Sequence, residues 1–200
     1  CHADQFENRM KQNGLDPAKP EDVEVQAQYD AQAPAYDAVA ELWQEAEAAH
    51  KADKERNADR EWSNYAAMGG GREMRIVTTS MNRHADNISH MTRFDLQKMM
   101  DNAWARAGSK VTANCYNRLR QQYSDAPEEE LQATASQMAR QLTDNAVYQY
   151  AVQQNTPKST LEYFGRTVAD MNVINSISKG LARSQAGTSG DLAAYEAAMG

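Results

Sequence analysis

The chain has 200 residues, a formal net charge of −7 and a mean hydropathy of −0.81, and only 25 of its residues are Leu, Ile, Val or Phe. That is about an eighth, against the roughly one fifth expected of an ordinary globular chain. The acidic balance excludes a general nucleic-acid binder, which needs a basic face. No run of about 18 apolar residues is present to cross a membrane, and two cysteines make neither a disulfide framework nor a thiolate metal cluster.

The charge is unevenly spread: residues 1–70 carry −8, residues 71–123 carry +5 and residues 124–200 carry −4. The basic middle therefore suits the chain's own acidic third or an acidic partner subunit. Alanine supplies much of the apolar count, and it favours helix while burying little area. The expected fold is all-α: an extended multi-helix bundle with a long charged N-terminal helix and a glycine hinge.

Residues 1–33 read as an arm. Phe6 and Met10 share one face of a short helix over 3–12, and Asn13-Gly14-Leu15 reads as its stop, with Gly14 left-handed and Leu15 folding back. Residues 15–33, containing Pro17 and Pro20, read as extended. Pro34 starts a charged helix over 34–68, because proline is tolerated in a first turn. Tyr36, Val39, Trp43, Ala46 and His50 recur at 3-4 spacing, a single coiled-coil-like seam. The following KADKERNADREW is charged on every face, as in a helix that projects into solvent or bridges two bodies.

Gly69, Gly70 and Gly71 break the pattern and read as a hinge, since each costs about 1 kcal/mol in a helix relative to Ala. Residues 72–200 then read as a helical bundle. Helical spacing predicts a helix over 72–107, carrying Met74, Val77, Met81, Ile88 and Met91, that stops at Gly108. Ser109 is expected to cap a helix over 110–123. SDAPEEE predicts a start at 126 with Asp125 as cap and Glu128 closing a capping box. That helix runs to 154. Another, over 157–184, presents Leu161, Phe164, Val168, Met171, Ile174, Ile177 and Leu181, and a last short helix holds Leu192, Tyr195 and Met199.

No constellation carries recognisable chemistry. Glu47-Ala48-Ala49-His50 is a single E-x-x-H step, whereas di-iron bundles use two such steps with further glutamates. Met81, His84 and Met91 could supply soft copper ligands, but they fall on one helix face, where methionine serves as core or interface filler. An N-terminal Cys1 nucleophile would need a rigidly held base and oxyanion donors, and a polar arm does not provide them. Asn87-Ile88-Ser89 matches a glycosylation triplet in mid-helix. No cofactor or metal is expected, and no catalytic residue is assigned.

The function expected is that of a non-enzymatic structural or assembly subunit, of virion, secretion or appendage type, with protein partners in a homo- or hetero-oligomer. Its candidate interface residues are Tyr36, Trp43, Met81, Met91, Phe164, Met171 and Ile174. Cys1 followed by a polar tether resembles the mature end of exported bacterial lipoproteins. That resemblance implies lipidation at Cys1 and an extracytoplasmic, membrane-anchored interaction module. A helical enzyme with an unrecognised site is the third reading.

Overall fold

A computed structural model describes residues 2–67, 93–154 and 156–186. Cys1, the Gly69–Gly71 hinge, Met81, Met91 and the helix expected at Leu192 lie outside the described residues. Among the described residues every regular element is helical: α1 (His2–Gln12), α2 (Pro20–Ala67), α3 (Arg93–Gln122), α4 (Glu128–Gln153), α5 (Lys158–Gly165), α6 (Met171–Ile177) and α7 (Lys179–Ala186). The protein is an all-α, multi-helix bundle.

The N-terminal turn forms as its residues dictate. Gly14 has φ +72°, the Leu15 N–H donates to Met10 O at 2.8 Å and the Gly14 N–H donates to Lys11 O at 3.1 Å. These two bonds are the paired closure of a left-handed helix stop. The arm itself is corrected. Its first helix is docked, with Met10 wholly buried, Arg9 paired with Asp30 at 3.0 Å and Asn13 Nδ2 donating to Gln26 Oε1 at 2.8 Å.

Residues expected to be extended are also helical, because α2 starts at Pro20 rather than Pro34. Pro20 takes a first-turn position, and Glu21 and Asp22 follow it at the positive end of the helix dipole. Pro34 sits inside the helix, where it removes an N–H and crowds the preceding turn, at about 3 kcal/mol. The turn it disturbs is held from outside: Asn114 Nδ2 of α3 donates to the Ala31 carbonyl at 3.3 Å. Ala31, Ala35, Ala38 and Val39 around it are all buried.

Three helices make the body. Cross-links from Glu24 to Arg118, Ala31 to Asn114 and Glu45 to Arg106 run α2 antiparallel to α3. Arg120 pairs with Glu128 near the turn, and Arg140 pairs with Asp101 farther along, so α4 returns antiparallel to α3. The core between them is thin because eleven of the 29 buried apolar residues described are alanines. On α3 the inward row is Ala103, Ala107, Val111, Cys115 and Leu119, spaced four apart. That row continues past Gly108, so α3 is one helix of 30 residues and the expected stop at 108 is wrong.

Buried amides fix how the body is aligned. Gln32, 2% exposed, donates through Nε2 to the Leu142 carbonyl at 2.8 Å and to Asn145 Oδ1 at 3.0 Å. Asn145 Nδ2 donates in turn to Ala169 O at 3.1 Å.

The helix expected over 157–184 is three short ones. Gly165 ends α5 beneath Tyr148, whose hydroxyl would lie 3.1 Å from a Cβ there. Asp170 begins α6 by accepting from the Val173 N–H at 2.8 Å. The capping box at Asp125 and Glu128 does not form either: Pro127 holds the N-cap position with no side-chain bond, and Glu128 is used elsewhere.

Replacing Gln32 with Ala removes two buried hydrogen bonds, one to the Leu142 carbonyl and one to Asn145 Oδ1, which then keeps only its bond from Gln149. Urea unfolding should show a loss of about 1–3 kcal/mol. The exposed Gln44→Ala control should stay within about 0.5 kcal/mol of the parent. Equal effects of the two would remove Gln32 from this role.

Candidate functional site

A cleft of about 750 Å³ lies between α3 and α4. Its floor is Ala105, Gly108, Ser109, Thr112 and Ala113, and Trp104 and Tyr116 stand toward its two ends. Small side chains three and four apart lie on one helix face, so the backbone of α3 is open to close approach along this run. From Ala105 to Asn117 the floor extends about 18 Å at 1.5 Å per residue, the length of about three helical turns.

Both ends are held by charge-assisted contacts. The Trp104 indole lies flat over Gly108, where an added Cβ would come within 2.7 Å of the ring. The Arg140 guanidinium sits 5.6 Å from the Trp104 ring centroid and binds Asp101 at 2.8 Å and Asp144 at 3.2 Å. Burial pushes the Asp144 carboxyl up despite the nearby arginine. Arg140 itself is held above its usual range, the two carboxylates outweighing its burial. At the other end the Tyr116 hydroxyl donates to Glu128 at 2.6 Å and Arg120 donates to the same carboxylate at 2.7 Å. The Tyr116 bond is the main cause that holds Glu128 below the ordinary carboxylate range.

This arrangement positions surfaces rather than reactive groups. The Thr112 hydroxyl is spent on Gly108 O at 2.6 Å, and Tyr116 and Glu128 satisfy each other. Cys115 faces inward, 1% exposed, and burial pushes its thiol up to about 12. It is a core side chain, not a nucleophile. Among the described residues no group of three or more His, Cys, Asp or Glu could hold a metal ion. The E-x-x-H step is split: Glu47 accepts from the Trp43 indole N–H at 3.2 Å, while His50 lines a separate cleft of about 560 Å³ with Asp53, Asp95 and Lys98.

The candidate interface residues expected from sequence go to the interior. Trp43, Phe164, Met171 and Ile174 are buried within this one chain. Tyr36 is half-buried against Tyr150, whose ring also meets Trp43 at 5.4 Å. Their apolar character marks core, not contact with another subunit. Of the seven, Met81 and Met91 fall outside the described residues.

A surface signal was missed. Counting by fours along the exposed side of α3 gives Gln97, Asp101, Ala105, Ser109, Ala113, Asn117 and Gln121, and all seven are exposed. The row reads nearly the same in both directions about Ser109, differing only as Asp101 against Asn117. The row is too weakly hydrophobic to stand out as an apolar stripe in the sequence.

No protein-family model, curated protein or solved structure matches the chain.

Gly108→Ala tests the end wall of the cleft. In an open helix the change would gain about 1 kcal/mol of propensity. Here the new methyl displaces the Trp104 ring, and overpacking of this kind costs about 1–3 kcal/mol. The expected result is a lower melting temperature with shifted tryptophan emission. A more stable variant with unchanged emission would show the ring free to move aside.

Proposed function

We propose that the protein is a non-enzymatic helical assembly subunit that pairs with a second copy of itself along the exposed side of α3. The observation that carries this reading is the reversible row from Gln97 to Gln121. A two-fold interface sets each residue against its mirror position in the partner. Antiparallel pairing about Ser109 sets Ala105 against Ala113 at the centre and Asp101 against Asn117 at the edges, since a row of fours drifts about 40° per step around the helix. Small residues meet at the centre, where close helix approach is needed, and groups that can exchange hydrogen bonds meet toward the ends.

The surroundings support the same reading. The cleft floored by the centre of the row has the length of about three turns of helix, and its ends are fixed by Arg140 and Glu128. The residues with shifted titration engage neighbouring helices or the buried core rather than converging on a reacting atom. The long α2, about 72 Å at 1.5 Å per residue, continues from Lys54 to Ala67 beyond the level of Asp53, which shares a cleft with Asp95 near the start of α3. Such an extension suits a subunit that bridges bodies. The virion, secretion or appendage setting remains part of the proposal as the class of assembly that uses helical subunits of this kind.

Ser109→Cys in a Cys1→Ser background tests the pairing. Position 109 lies on the two-fold axis, so mild oxidation should give a disulfide-linked dimer in high yield. Ser136→Cys, on α4 away from the row, should not. Ala113→Glu should raise the dimer dissociation constant at least tenfold in sedimentation equilibrium, with helicity unchanged. A monomer at all concentrations, or equal cross-linking at 109 and 136, would overturn the reading.

A further inference from the structure

We infer that residues 156–186 form a displaceable strap, a single cooperative unit that undocks from the three-helix body while that body stays folded. The inference rests on the packing of this chain alone and is independent of how copies pair.

The strap and the body are held by different physics. Within the body, α3 presents an unbroken inward row from Ala103 to Leu119, and α4 answers with Leu131, Ala135, Met138, Leu142 and Ala146, all at most 1% exposed. The strap has no helix longer than eight residues. Helices below about twelve residues are marginal in water by themselves, so α5, α6 and α7 hold their form only while docked. Four buried apolar anchors do the docking: Phe164, Met171, Ile174 and Leu181.

The seam beneath the strap carries polar groups, as the body does at Gln32 and at Gln28 Oε1 and Arg118 Nε, the last two buried without a partner among the described residues. Asn145 Nδ2 of α4 reaches out to Ala169 O at 3.1 Å, one residue before the Asp170 cap of α6. Asn175 Oδ1 and Thr156 Oγ1, both on the strap, are buried without a hydrogen-bond partner among the described residues. A crevice of about 410 Å³ separates the two parts, with Glu21, Glu24 and Gln122 on the body side and Asn172, Asn175 and Lys179 on the strap side. Buried polar atoms left unpaired oppose docking, because water satisfies them once the strap leaves. A crevice adds contacts forgone on both walls.

The connection at Asn145 also gives the strap its unity. It ties the 166–170 turn, which joins α5 to α6, while α7 follows α6 after Ser178 alone. Loss of the Ile174 anchor therefore loosens all three helices together. Undocking uncovers the faces of α2 and α4 that the anchors cover, and any partner that prefers the uncovered faces shifts the balance toward the open form.

Native-state hydrogen exchange read by mass spectrometry at low urea concentration tests this on the full chain. Amides in 158–186 should exchange at least tenfold faster than those in 99–119. Ile174→Ala should speed exchange at least tenfold further in α5, α6 and α7 alike and leave 99–119 unchanged. Exchange in 158–186 as slow as in 99–119 would overturn the strap. So would an Ile174→Ala effect confined to 171–177, which is local fraying, or one spread equally over the whole chain, which is global unfolding.

Discussion

The amide of Gln32 sits where three parts of the molecule meet. Its seam is lined largely by alanine, which brings helices close but offers little shape to distinguish one alignment from the next. A slide of α2 along α4 would exchange one small side chain for another at low cost. The two hydrogen bonds from Gln32 to the Leu142 carbonyl and to Asn145 remove that freedom, because a shifted alignment strands polar groups in a dry seam. Asn145 carries the same constraint outward to Ala169. The relative placement of α2, of α4 and of the strap is thus tied by a short chain of buried amides.

Much of the helical architecture was legible from residue types. Gly14 and Leu15 predicted their own turn because only a left-handed position with a returning apolar residue fits that pattern. Phe164, Met171 and Ile174 within 157–184 were expected at an interface, and they pack instead into the chain's own core, along a stretch whose helix is broken in two places. The breaks were less visible. Gly165 followed by Asp170 is a stop and a cap, but the helical periodicity of Phe164, Met171 and Ile174 runs across both. The opposite error occurred at Gly108, where a glycine inside a continuous row of Ala103, Ala107 and Val111 accommodates an indole instead of ending a helix. Pro34 misled in the same way, since the donor that supports its turn comes from Asn114, eighty positions away in the chain.

The candidate site was not legible, for a physical reason. Large apolar residues were sought as contact residues, and this chain has so few that its own core takes them. Trp43, Phe164 and Ile174 had no surplus to offer a partner. What remains for the surface of α3 is a row of alanine, serine and amides, whose value lies in small size and in reversal symmetry rather than in hydrophobicity. Under the proposed pairing, such a surface stays weakly apolar, which limits unspecific association, while the centre of the row is what a second copy would match.

Pulsed dipolar spectroscopy with a spin label at Gln97→Cys, in a Cys1→Ser background, tests the pairing most directly. Antiparallel pairing about Ser109 places the two labelled positions 24 residues apart along the helix direction, or about 36 Å at 1.5 Å per residue. The account predicts one distance population near that value. A distribution below about 20 Å, expected where helices lie side by side in the same direction, or the absence of any dipolar coupling, would contradict it.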